Sequence, residues 1–197
     1  MSTSDEFLPH DVLTGDRLRQ LFDELDAELD AKGPRVEVVI CGGAALAMGW
    51  DDRATHDVDA LDEFPARLSI AIATVAARNG LRPDWLNHSA SLFRPQGLQT
   101  EPVYEGDRLS VAAATRKYLL AMKAYAARPG DIADIEMLMN EQNVDSTELL
   151  PLVLDVYGPE RAHAREDAIV LVAEAIRQRQ YSTTHRQGPQ PGIDLGL

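Results

Sequence analysis

VEVVICGGAALAMGWDDRATHDVDAL, residues Val36 to Leu61, is the stretch whose reading decides the fold. It opens on a β-branched apolar run, Val36, Val38, Val39 and Ile40, with the length and composition of a buried strand. Gly42-Gly43 follows at once, then the helix-forming segment Ala44-Ala45-Leu46-Ala47-Met48. A glycine pair between strand and helix lets backbone approach a ligand, with the free N–H groups of the helix start aimed at it. After a charged loop, Asp51-Asp52-Arg53-Ala54-Thr55-His56, the chain returns as Asp57-Val58-Asp59-Ala60-Leu61. Side chains two apart on a strand face the same way, so Asp57 and Asp59 offer two carboxylates to one side. Carboxylates that close repel and titrate upward unless a cation lies between them. A hard divalent ion with oxygen ligands, Mg²⁺, suits such a pair.

A Gly-Gly at a strand-to-helix turn, then about a dozen residues, then Arg-x-Thr-x-Asp-x-Asp resembles the nucleotidyltransferase (polymerase β-like) superfamily. The matching residues are Gly42, Gly43, Arg53, Thr55, Asp57 and Asp59. With Lys123 and the later Arg128-x-x-Asp131-x-x-Asp134, the pattern is most similar to the abortive-infection, AbiEii-like toxin branch and related bacterial proteins. The resemblance covers roughly residues 36 to 140. It implies a glycine pair that holds the triphosphate, an Asp-x-Asp pair that binds catalytic Mg²⁺, and a lysine, here Lys123, on the phosphates. It also implies a toxin–antitoxin or phage-defence setting, with tRNA or a protein hydroxyl as acceptor and a cognate antitoxin as partner.

The chain has 197 residues, 45% of them hydrophobic, enough for one domain with an appended helical part and a real core. No apolar run approaches the ~20 residues of a membrane span. The acidic start Met1-Ser2-Thr3-Ser4-Asp5-Glu6 lacks the order of a signal peptide. With Cys41 the single cysteine, neither a disulfide framework nor a multi-cysteine zinc site is available. The expected location is the cytoplasm. A formal net charge of −13 argues against a protein whose main task is to hold nucleic acid, and suits a basic partner protein. A local basic patch around Arg116, Lys117 and Lys123 remains open.

Thr14 caps a helix expected from about 15 to 32, with Leu18, Leu21, Phe22, Leu25 and Leu29 on its apolar face. After the Asp strand, Pro65 opens a helix that Asn79-Gly80 closes. A short strand is expected near 90–94, then a hairpin of strands at 102–104 and 108–112 about Gly106. Helices follow at 113–127, from Asp131, at about 146–156 and at 159–179, and Tyr181 to Leu197 has the composition of a disordered tail. The fold class is α/β (α+β): a nucleotidyltransferase-like mixed sheet flanked by helices (1–112), a helical C-terminal part packed on it (113–180), then the tail (181–197).

Each candidate residue has a plain structural alternative. Asp57 and Asp59 alone would be a polar strand edge, and the upstream glycine pair turns the balance toward metal. Gly42-Gly43 alone would be close helix-on-sheet packing. Lys123, among Leu120, Ala121, Met122 and Ala124, would snorkel to solvent unless it serves phosphates. Asp131 and Asp134 share one helix face; Asp131 suits an N-cap after Pro-Gly, and Asp134 suits an orienting partner for Lys123 or Arg128. Glu101, Glu105 and Asp107 are available as a third carboxylate, none in a clear motif. Cys41 fits a small core residue better than a nucleophile. The leading reading is a Mg²⁺-dependent transfer of a nucleoside monophosphate from an NTP to a hydroxyl, with Arg53 clamping phosphates and Lys123 on the departing pyrophosphate. Its rivals are an inactive, antitoxin-type binding protein of the same fold and an aminoglycoside-type adenylyltransferase with an acidic cleft for cationic drugs.

Overall fold

The computed structural model describes residues 12–29, 33–49 and 53–186, with side chains to residue 182. The chain divides into two compact units, one ending at Leu119 and the other starting at Leu120.

In the first unit, β1 (Leu13–Thr14) runs into α1 (Gly15–Glu28), where the Thr14 hydroxyl accepts the Arg17 N–H at 3.3 Å. α1 ends at an extended Leu29, short of the expected 32; residues 30–32 lie outside the described ones. Next come β2 (Val36–Cys41), α2 (Gly42–Gly49), β3 (Ala54–Thr55) and β4 (Val58–Ala60). α3 (Ala66–Asn79) starts one residue beyond Pro65 and stops at a left-handed Gly80 with φ +66°. β5 (Leu86–Asn87), β6 (Thr100–Glu105) and β7 (Leu109–Ala114) complete the strands.

Five strands form one mixed sheet in the order β5-β4-β2-β7-β6. β2 is antiparallel to β4 and parallel to β7, β5 is parallel to β4, and β6 is antiparallel to β7. β1 and β3 make a separate antiparallel ribbon, Leu13 opposite Thr55 and Thr14 opposite Ala54. Alternation along the strands separates the two faces of the sheet. Val36, Val38, Ile40, Val58, Ala60, Leu86, Val111 and Ala113 are all buried on one face. α1 lies over that face, its Phe22 ring 5.6 Å from that of Tyr104, which pairs with Val111. The other face carries Glu37, Val39, Asp59, Asn87, Ser110 and Ala112, all exposed or half-exposed.

The expected strand at 90–94 is instead a 3-10 turn, Ser91–Phe93, and the strand lies earlier, at Leu86–Asn87. Buried Trp85 and Leu86 anchor that earlier segment, whereas Leu92 is 86% exposed and buries little of its side chain. The helix expected from Ala113 begins at Arg116, because β7 continues to Ala114 and pairs it with Thr100. Alanine's helix preference gives way there to a buried ladder position.

The described residues of the second unit form helices and turns, with no strand among them. α4 (Arg116–Ala126) enters it, followed by a 3-10 turn, Pro129–Asp131, and α5 (Ile132–Gln142). A capping box at Asp145 opens the turn Ser146–Glu148 before α6 (Leu149–Tyr157), α7 (Pro159–His163) and α8 (Glu166–Arg186). The single helix expected over 159–179 is thus two. The break puts the Arg165 guanidinium on the last carbonyls of α4, Nε donating to Tyr125 O at 3.2 Å and Nη2 to Ala126 O at 2.9 Å. α8 also continues into the stretch read as a tail, to Arg186, with the Ser182 hydroxyl donating to the Gln178 carbonyl at 2.9 Å. Residues 187–197 lie outside the described ones.

One carboxylate fixes the β6–β7 turn. Asp26 of α1 accepts the N–H groups of Arg108 and Leu109, both at 2.7 Å, and Arg108 Nη1 donates to the Asp26 carbonyl at 3.2 Å. Burial alone would raise the Asp26 pKa; the backbone donors of Arg108, Leu109 and Asp107, with the Arg108 charge, outweigh it and hold the carboxyl below its usual range. A depressed folded pKa means stability that is present above the unfolded value, near 3.9, and lost as pH falls through the folded one. Asp26→Ala is therefore expected to lower stability by about 1–2 kcal/mol at pH 7. The gap to the parent should narrow in denaturant melts as pH falls below the usual carboxylate range and through the lowered Asp26 pKa.

Candidate active site

β2, the central strand, delivers the chain to Gly42 at its C-terminal end, and α2 begins there without an intervening loop. Gly42 has φ +63°, a conformation that L side chains rarely adopt. Its register neighbour explains the need: Cys41 pairs with Asp59, and a Cβ on Gly42 would stand 3.3 Å from Asp59 Oδ2. One Asp59 carboxylate oxygen therefore lies directly against the start of α2. The remainder of α2 through Met48 is buried, while Gly42 and Gly43 are half-exposed. The first N–H groups of a helix lack partners within it, so the accessible part of α2 is also its anion-attracting end.

Thr55 occupies the space beside Gly43. A Cβ there would lie 2.7 Å from Thr55 Oγ1 and 3.1 Å from Thr55 Cβ. The same Oγ1 donates to the Asp57 carbonyl at 3.0 Å, and Thr55 is held from behind by its pairing with Leu13. The glycine, Thr55 and the Asp57 backbone thus pack in series, and the β1–β3 ribbon backs them. Gly43→Ala should displace Thr55, costing about 1–3 kcal/mol by overpacking. Nucleotide binding should fall more than tenfold, and Thr55→Ala added to Gly43→Ala should recover part of the stability in a double-mutant cycle. Equal and additive losses would show that the two residues do not act together.

Asp57, exposed, stands just before β4, and half-exposed Asp59 is its central residue, with Val58 between them fully buried on the opposite face. Asp59 therefore lies on the sheet face opposite α1, and Asp57 sits in the bend that leads into β4. Arg53 immediately precedes β3, half-exposed, and His56 is exposed between β3 and β4. Cys41 is buried, 3% exposed, at the end of β2.

Register removes the three acidic residues considered as a third carboxylate. Glu101 pairs with Ala113, which pairs with Ile40, so it belongs to the opposite face from Asp59. Glu105 pairs with Ser110, at the far end of β7 from the glycine turn, where it forms an ion pair with Arg35. Asp107 lies in the β6–β7 turn, also at that far end. Among the described residues no three His, Cys, Asp or Glu side chains are grouped to hold a metal.

Lys123, Asp131 and Asp134 meet within the second unit. Lys123 is 8% exposed, so it does not snorkel. Its Nζ lies 2.6 Å from Asp131 Oδ1 and 2.9 Å from Asp134 Oδ2. Asp131 makes no side-chain cap at the start of α5, contrary to its expected role, because its carboxylate is taken up by Lys123. Arg128 is exposed before the Pro129–Asp131 turn.

A buried strand, a glycine pair opening a helix and a return strand that sets the Asp59 carboxylate against that helix make up the core of the first unit. Residues 16–170 match the family described as nucleotidyltransferase of unknown function (DUF6036), and the chain belongs to that family. Comparison with curated proteins and with solved structures finds no match. No helix among the described residues is long and apolar enough to cross a membrane.

Proposed function

We propose that the chain transfers a nucleoside monophosphate from an NTP to a hydroxyl acceptor, with the triphosphate over Gly42-Gly43 and Mg²⁺ at Asp57 and Asp59. The observation that carries this reading is the placement of an Asp59 carboxylate oxygen against Gly42 at the open start of α2. The donor set fits the ion: Mg²⁺ is commonly held by one or two carboxylates, with phosphate oxygens and water completing its octahedron. Asp57 and Asp59 would hold the ion, which when bound would supply charge neutralisation at the phosphate oxygens. The chain's own residues do the rest. The N–H groups of Gly42 and Gly43 donate to the phosphate oxygens, Arg53 adds a planar cationic clamp, and Thr55 holds the Asp57 backbone in place.

The resemblance of Arg53-x-Thr55-x-Asp57-x-Asp59 to abortive-infection proteins supports a toxin of a toxin–antitoxin or phage-defence pair. The net charge of −13 favours a protein hydroxyl over a large RNA as acceptor, and suits a basic cognate partner. The test is incubation with each α-labelled NTP, Mg²⁺, total RNA and cell protein. The expected result is Mg²⁺-dependent labelling of a protein band from one nucleotide. Labelled RNA would move the acceptor to nucleic acid, and no label from any nucleotide would favour a binding protein of this fold.

A further inference from the structure

β4 has two neighbours in the sheet, and at the level of Asp59 they supply Cys41 on one side and Asn87 on the other. Cys41 is sealed at 3% exposure, so its thiol is closed to solvent. Asn87 is half-exposed and shares the face of Asp59, because it pairs with Asp59 while Leu86 pairs with buried Val58. Paired residues on adjacent strands lie about 4.8 Å apart. A carboxylate at position 87 would therefore stand in one row with Asp59, where the pair would gain a third acidic oxygen donor. The sequence places a neutral amide there.

We propose that Asn87 is the third side chain of the Asp57–Asp59 site and that its amide sets the site's charge, limiting it to a single divalent cation. The inference rests on the reading of Asp57 and Asp59 as cation ligands and adds a residue to it. The Asn87 side chain is held by its own loop: Oδ1 accepts the Ser89 N–H at 2.9 Å, and Nδ2 approaches the Asp84 carbonyl at 3.4 Å. These contacts fix the amide while leaving the second Nδ2 proton to donate to a phosphate or ribose oxygen. A carboxylate at this position could still accept from Ser89, so Asn87→Asp conserves shape and the stronger of the two contacts. What changes is charge, from two carboxylates to three, with mutual repulsion that a second cation relieves.

Isothermal titration of the full chain with Mn²⁺ alone and with Mg²⁺ alone tests this on the parent, Asn87→Asp, Asn87→Ala and Asp59→Asn proteins. The parent is expected to bind one ion, and Asp59→Asn to lose it. Asn87→Asp should bind at least tenfold tighter or take up a second ion, and its metal-free melting temperature should fall and recover when Mn²⁺ is added. Asn87→Ala should keep the parent's stoichiometry. Unchanged affinity and stoichiometry in Asn87→Asp, with binding still lost in Asp59→Asn, overturns the role of Asn87 and leaves the carboxylate pair standing. Equal binding by the parent and Asp59→Asn overturns the carboxylate reading itself, and this inference with it.

Discussion

Asp59→Ala is expected to abolish Mg²⁺-dependent transfer while leaving the chain folded. The ion's electrostatic contribution is worth several kcal/mol, so the rate should fall about a thousandfold or more. Asp57→Ala should act in the same direction. Stability moves the other way: in metal-free buffer either change removes one of two neighbouring carboxylates, and the melting temperature should hold or rise. That opposition is what a ligand pair produces and a polar strand edge does not. Asp59→Ala also frees the space beside Gly42, whose Cβ position lies 3.3 Å from the carboxylate, so loss of fold through crowding is not expected. Full transferase activity in the double Asp→Ala protein would falsify the metal assignment.

The second large effect belongs to Lys123→Met. Methionine keeps the packing of the buried stem but leaves Asp131 and Asp134, at 19% and 21% side-chain exposure, facing one another without their shared cation. Stranding buried charges costs about 3–5 kcal/mol when the group is fully sealed; partial access to water reduces this to about 2–4 kcal/mol here. For a chain of this size that lowers the melting temperature by roughly 5–15 °C. Asp131→Asn and Asp134→Asn separate stability from phosphate binding, since each keeps the ammonium. Nucleotide affinity that survives both Asn variants and fails in Lys123→Met assigns the lysine to the phosphates. Affinity that follows melting temperature across all three assigns it to the fold.

The glycine turn and the Asp strand were legible because each rests on strong local chemistry. A β-branched run ended by a glycine pair reads as a strand entering a turn, whatever the glycines and the carboxylates after them do chemically. The caps at Thr14 and Gly80 and the β6–β7 hairpin were legible for the same reason. The β1–β3 ribbon was not: two residues per strand carry no periodicity, and its partners are Leu13–Thr14 and Ala54–Thr55, far apart in the chain. Ser91–Phe93 misled because Leu92 and Phe93 look like strand residues, whereas the real anchors are Trp85 and Leu86 just upstream. Asn87 carried no signal, since only its pairing with Asp59 singles it out. Conversely, Glu101 looked available until register put it on the wrong face. The trio of Lys123, Asp131 and Asp134 crosses the Pro129–Asp131 turn between two helices, so spacing within one helix could relate the two aspartates but could not show that both converge on the lysine.

β2 sits at the centre of the sheet, with β4 on one side and the much later β7 on the other. A protein is synthesised from its N-terminus, and pairings between distant segments form late. The glycine turn, α2 and the Asp strand therefore leave the ribosome well before Leu109–Ala114, which closes the remaining edge of β2. Until that segment emerges, β2 has β4 as its strand neighbour on one side and an open edge on the other. The five-stranded sheet is thus complete only once Ala114 has been made, and β2 is flanked on both sides only then.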